Sequence, residues 1–230
     1  MRKTLIMLLL LTVAVTHLAA KDDDPDARFV KVTLKDGKTV EGWLPKKTVV
    51  FNCQWSFKLC NAPDTKKGTE YKAEQVKSLF FPRQTTEHPK GWLWENVTVY
   101  WYLNIYTRSF KTFESLLPLE YRGDKASAYT IRFWSPPVPQ AHAAGVWVAH
   151  SVLYIPGAPH AFLIYNHGVS KSEPEKYIRK QFADYDPALG EYLYEWYHAD
   201  SKMSKKQISD DESTLVRVYE QYLKEKKQKR

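Results

Sequence analysis

The sequence predicts an α+β protein: a small, strongly bent β-barrel, a further antiparallel β region, and three short C-terminal helices packed on sheet. Three observations predict it. The chain holds eight Trp, fifteen Tyr and ten Phe, and aromatic residues favour pleated, half-buried surfaces. Apolar residues alternate with period two in several runs between residues 29 and 166. Beyond Gly168 the apolar period lengthens to about 3.6, the spacing of an amphipathic helix.

In chain order, residues 1–20 predict a secretory signal peptide. Arg2 and Lys3 form a positive start, Leu5 to Val15 an apolar run, and Leu18-Ala19-Ala20 the small residues before a cleavage at Lys21. A membrane-spanning helix needs roughly 20 apolar residues, so this run is too short to anchor the chain. No cysteine sits at the cleavage point, which argues against a lipoprotein. The expected destination is the periplasm or the exterior. Residues 21–28 read as an acidic linker. Removing the signal takes two positive charges from the formal +8, leaving +6. The basic residues are spread rather than striped, and no nucleic-acid module is recognisable. The tail Lys224 to Arg230 reads as a solvated helix end.

Residues 29–84 read as the small barrel. Phe29 to Leu34 and Thr39 to Leu44 flank Lys35-Asp36-Gly37-Lys38, and Asp-Gly predicts a type I′ hairpin. Thr48 to Cys53 reads as a third strand. Lys77 to Phe81 reads as another, introduced by a helical turn over 72–76 and closed by Pro82. This is the plan of an SH3-like or Sm-like barrel. The hairpin, with Val32, Leu34, Asp36, Gly37, Gly42 and Leu44 at their spacing, resembles the first motif of Sm proteins. The second Sm motif wants a hydrophobic-Arg-Gly step, and here the chain reads Ser78-Leu79-Phe80-Phe81-Pro82. The likeness is therefore one of fold, without the RNA binding.

Cys53 and Cys60 are the two cysteines, and an even pair in an oxidising compartment predicts a disulfide. Along one straight strand they would stand about 23 Å apart. The bond therefore requires Gln54 to Leu59 to turn back as a hairpin tip, closing a loop that stabilises by about 2.5 kcal/mol.

Residues 90–168 read as the antiparallel region. Trp92 to Tyr106 alternates, with Leu93, Val97, Val99, Trp101, Leu103 and Ile105 on one face, interrupted by Glu95. The other face carries Trp92, Trp94, Asn96, Thr98, Tyr100, Tyr102, Asn104 and Tyr106. Further strands are predicted over 126–134, 145–155 and 160–166, with Pro-rich loops between them. Residues 169–230 read as helices sharing the core of that region. Ser172 and Glu175 form a capping box for the first helix, Asp186-Pro187 opens the second, and Ser209 with Glu212 caps the third. Their stripes run through Ile178 and Phe182, Leu189 and Trp196, and Leu215 and Tyr219.

The combined pattern resembles a recurring type of small exported protein from Bacteroidetes. The matching stretches are Leu34 to Gly37, Gly123 to Tyr129 and Phe182 to Leu189. The resemblance implies an architecture and a compartment, and no activity.

No cofactor loop, His-Glu-x-x-His motif or Gly-x-Ser-x-Gly elbow is present. His142, His150, His160 and His167 read as ordinary sheet or loop residues, so no metal is expected. The chemistry-bearing constellation is the polar-aromatic face of the Trp92 segment. Trp92, Trp94, Tyr100 and Tyr102 could stack on sugar rings if exposed, or pack under the helices if buried. The sequence therefore predicts a non-enzymatic envelope protein, structural or interaction-mediating. Its alternative is a carbohydrate- or peptidoglycan-binding protein, the partner being an envelope protein or a glycan.

Overall fold

A computed structural model describes residues 28–104, 109–135, 145–166 and 174–228. The predicted signal peptide, nearly all of the acidic linker and the Pro-rich loop at 136–139 lie outside them. The chain divides into two compact units between Leu93 and Trp94.

The first unit contains β1 (Phe29–Leu34), β2 (Thr39–Trp43), β3 (Ser56–Cys60), β4 (Gly68–Lys72) and β5 (Val76–Phe81). They pair in the order β5-β1-β2-β3-β4, antiparallel throughout. The two ends of this row, β4 and β5, are joined by the three-residue 3-10 turn Ala73–Gln75. So short a link curls the sheet back on itself as a small barrel. Val30, Val32, Phe57, Leu59, Val76 and Leu79 fill its interior. Arg28 is also buried, its guanidinium donating to the carbonyls of Leu44 (3.1 Å) and Pro63 (2.8 Å).

The β1–β2 turn is not type I′. Gly37 N–H donates to Leu34 O (3.1 Å) and Leu34 N–H to Lys38 O (2.8 Å), with Gly37 at φ +88°. That is a three-residue loop in which glycine supplies the left-handed position. Gly42 has a different role, because a Cβ there would stand 2.5 Å from the Cys60 carbonyl. The expected strand over 48–53 is instead the 3-10 turn Val50–Gln54. The Gln54 amide donates to Phe51 O at 2.7 Å and holds that turn.

The predicted disulfide is absent. Cys53 and Cys60 are buried free thiols. Residues 56–60 run extended as β3 rather than folding into the hairpin tip that a bond would require.

The second unit contains β6 (Trp92–Asn104, which begins two residues before the division), β7 (Ser109–Arg122), β8 (Ser127–Ser135), β9 (Val146–Tyr154) and β10 (Ala161–Asn166). These strands follow one another as an antiparallel meander. Parallel pairing of Ala161 with Val99 and Phe162 with Tyr100 then joins β10 to β6. The meander is thereby closed, and its inner face packs Val97, Val99, Leu117, Tyr129, Ile131 and Val152.

Four helices follow among the described residues: α1 (Pro174–Phe182), α2 (Pro187–Ala199), α3 (Ser201–Asp210) and α4 (Thr214–Gln228). They cover the outer face of β8–β10, where Ala128, Leu153, Phe162 and Ile164 meet Ile178, Phe182, Leu193 and Leu215. Phe162 stacks on Phe182 at 3.9 Å. Gln181 docks α1 onto β10 through two 2.7 Å bonds to the Leu163 backbone. The expectation of three helices is corrected to four, because Asp200 starts an extra one by accepting from Met203 N–H at 3.0 Å. Ser209 consequently lies near the end of α3 and caps nothing at the start of α4. Ser172 lies outside the described residues.

Candidate functional site

The predicted aromatic face does not form one platform. Trp94 is fully buried, which removes its ring from any ligand. Trp92 is half-buried and stacks on His88 at 4.7 Å, with Phe81 at 5.8 Å. Tyr100 is half-buried and stacks on His160 at 4.5 Å. The side chain of Tyr102 lies outside the described residues, as do His142 and His167. His150 is buried with its ring edge-on to Phe133. Among the described residues, no group of three His, Cys, Asp or Glu side chains converges to hold a metal.

A different site lies on the outer face of β7–β9. Side chains two apart on a strand share a face, so Ala128, Thr130, Arg132 and Trp134 form one row along β8. Thr130 is opposite Ser151 and Arg132 opposite Ala149 on β9. The lower end of this face, at Ala128 and Leu153, lies under the helices. Beyond Ile208 and Leu215 the helical cover gives way to a cavity of about 240 Å³. Glu120 enters it from β7, Thr130 and Arg132 from β8, Ser151 from β9, and Ser209 and Glu212 from the end of α3 and the turn after it.

The electrostatics of this cavity are unusual for so small a space. Burial, and then the neighbouring Glu212 carboxylate, push Glu120 up to about 7, while a Thr130 hydrogen bond and the Arg132 charge oppose the rise. Burial lowers Arg132, and Glu120 acts against that shift. A carboxyl that titrates near neutrality can donate or accept, and such groups concentrate at functional sites. Trp134 stands on the same face, one step beyond Arg132, and is 52% exposed. Successive same-face residues are separated by about 7 Å, so Trp134 is the next residue along this row after Arg132, beyond those that line the cavity.

On the opposite, inner side of β8, Tyr129 O–H donates to Glu95 Oε2 at 2.7 Å, and Arg122 donates to the same oxygen. Glu95, the charge that interrupts the apolar face of β6, is thus satisfied within the barrel. Burial and the bond to Glu95 raise the Tyr129 phenol well above its ordinary range. This cluster ties β6, β7 and β8 together.

Sequence reasoning passed over Glu120, Arg132, Glu212 and Trp134 because they belong to separate elements. The available signal was local: Glu120 follows Leu116-Leu117-Pro118-Leu119, a charge at the end of an apolar run.

No protein-family model, curated protein or solved structure matches the chain.

Proposed function

We propose that the protein is an exported, non-catalytic binding protein of the cell envelope that holds a small saccharide on the outer face of β7–β9. The observation that carries this reading is the row Thr130-Arg132-Trp134 beside the Glu120 cavity. Saccharide recognition needs a flat apolar ring against the sugar face and convergent donors and acceptors at its rim. Trp134 offers the ring, Arg132 the donors, and Glu120, Glu212, Thr130, Ser151 and Ser209 the remaining polar groups. The cavity is smaller than the roughly 300–1,000 Å³ of typical ligand sites, which suits one sugar residue. Export is supported by the signal-like start of the chain. The first unit is proposed to be an SH3-like module, on the strength of its strand order and the 3-10 turn joining its end strands.

Glu120 beside Glu212 also favours a second reading, hydrolysis of a glycosidic bond with Glu120 as the acid. Binding is preferred because Glu212 sits exposed in a turn, whereas catalysis requires both carboxyl groups to be held in place.

An NMR titration with monosaccharides, following the Trp side-chain N–H signals, tests the proposal. The Trp134 signal should move and the Trp94 signal should not. Release of free sugar from oligosaccharides would establish the second reading, and an unmoved Trp134 signal would remove both.

A further inference from the structure

The charge of the cavity narrows the ligand further, given the saccharide reading above. Each element packed around the cavity contributes a definite charge. Strand β7 brings the Glu120 carboxyl, and β8 brings the Arg132 guanidinium. The Tyr129 side chain of β8 is turned to Glu95 on the inner face. Strand β9 brings Ala149 and Ser151, which are uncharged, and α3 brings Ser209 and Ile208. The turn after α3 brings the Glu212 carboxylate, and Leu215 of α4 is apolar. With both carboxyl groups ionised, one guanidinium faces two negative charges, and one negative charge is left over.

Glu120 is the more buried of the two carboxyl groups, so burial and the neighbouring Glu212 favour keeping a proton on it when no cation is bound. A bound carboxylate would worsen the imbalance, and an uncharged sugar would leave it as it stands. A single ammonium group brings the count to zero and takes the place of the proton. We infer that the saccharide bound here carries a free primary amine, seated as an ammonium against the Glu120 carboxylate in the cavity, with the exposed Glu212 carboxylate adding its charge from the rim. The step is a proton exchange only: Glu120 releases its proton to solvent as the ammonium enters, and no covalent bond forms or breaks.

Isothermal titration calorimetry of the full chain with glucosamine, N-acetylglucosamine and alaninamide tests the inference. Glucosamine should bind about tenfold or more tightly than N-acetylglucosamine at pH 7, one pairing of charges being the difference. Its affinity should fall about tenfold or more between pH 7 and pH 5.5, as Glu120 regains its proton. Repeating the titration in buffers of different ionisation heat should reveal proton release on binding. Glu120→Gln mimics the protonated carboxyl, so it should keep the fold and abolish the preference for the amine. Equal binding of the two sugars would overturn the inference while leaving the saccharide reading in place. Binding of neither sugar would overturn both. Alaninamide binding as tightly as glucosamine, with N-acetylglucosamine weak, would uphold the ammonium site and overturn the saccharide reading.

Discussion

Glu120 shows how one residue can couple the site to stability. Its carboxyl is displaced upward to about 7 in the fold by burial and by Glu212, against about 4.3 in an unfolded chain. Between those values the folded state holds a proton that the unfolded state has released, so stability falls as pH rises through this window. It is fully present below about pH 4 and lost above about pH 7, with a total effect of no more than about 4 kcal/mol. Glu120→Gln removes the titration. Its melting temperature should match that of the native protein near pH 4 and exceed it at pH 8. Melts across that range check the sign, and a native protein that gains stability relative to Glu120→Gln as pH rises would contradict the assignment. Cys53 offers a contrast at the same scale. Burial, against a backbone hydrogen bond that lowers it, pushes its thiol up to about 12, the behaviour of a buried, inert thiol.

At the scale of elements, junctions decide the geometry of the helical layer. Asp186 accepts from Leu189 N–H at 3.2 Å, capping α2, and also from Tyr222 O–H at 3.0 Å and Lys226 Nζ at 2.9 Å, pinning α4. Burial pushes its carboxyl up, but Lys226, the Leu189 N–H and Tyr222 together outweigh that and hold it below the ordinary range. Asp186→Ala should cost about 1–3 kcal/mol at pH 7, combining a lost cap with a stranded buried hydroxyl. Chemical denaturation measures it, and a cost below about 0.5 kcal/mol would show that α4 is held by its apolar stripe alone. The strands read from the sequence are those with clean period-two alternation, such as β1, β8 and β10. The ones that escaped have physical reasons for doing so. Strand β4 reads Gly-Thr-Glu-Tyr-Lys and buries little, so it has no apolar face to announce it. Strand β7 carries the adjacent buried pair Leu116-Leu117 and then Pro118, which breaks alternation and argues against a strand. Proline is accommodated because the β7–β8 ladder begins only at Leu119. Strand β3 ends on Cys60, and a cysteine pair with six residues between its members suggests a bonded loop in place of a strand. The site escaped for a further reason: Glu120, Arg132 and Glu212 meet only after the meander and the helical turn have formed.

For the molecule as a whole, most of the aromatic side chains among the described residues are spent on packing. Trp94, Phe162, Phe182 and Tyr197 are among its largest fully buried side chains, and rings such as Trp92 and Tyr100 are partly covered by stacked neighbours. Trp134 is the most exposed of the large aromatic side chains among the described residues, ahead of Trp55 and Tyr121. The central claim, that this ring and its neighbours form a binding face, therefore separates two tryptophans that look alike in the sequence. Trp94→Ala should cost about 3–5 kcal/mol of folding stability, as expected for a buried large aromatic. Trp134→Ala should lose little packing and melt within a few degrees of the native protein. The most direct measurement combines thermal melting with saccharide titration for these two variants. Trp134→Ala should give a near-native melt together with a loss of about 1–3 kcal/mol in sugar binding, the magnitude of one ring stacking on a base. Unchanged sugar affinity in Trp134→Ala, or a melt depressed as far as that of Trp94→Ala, would contradict the claim.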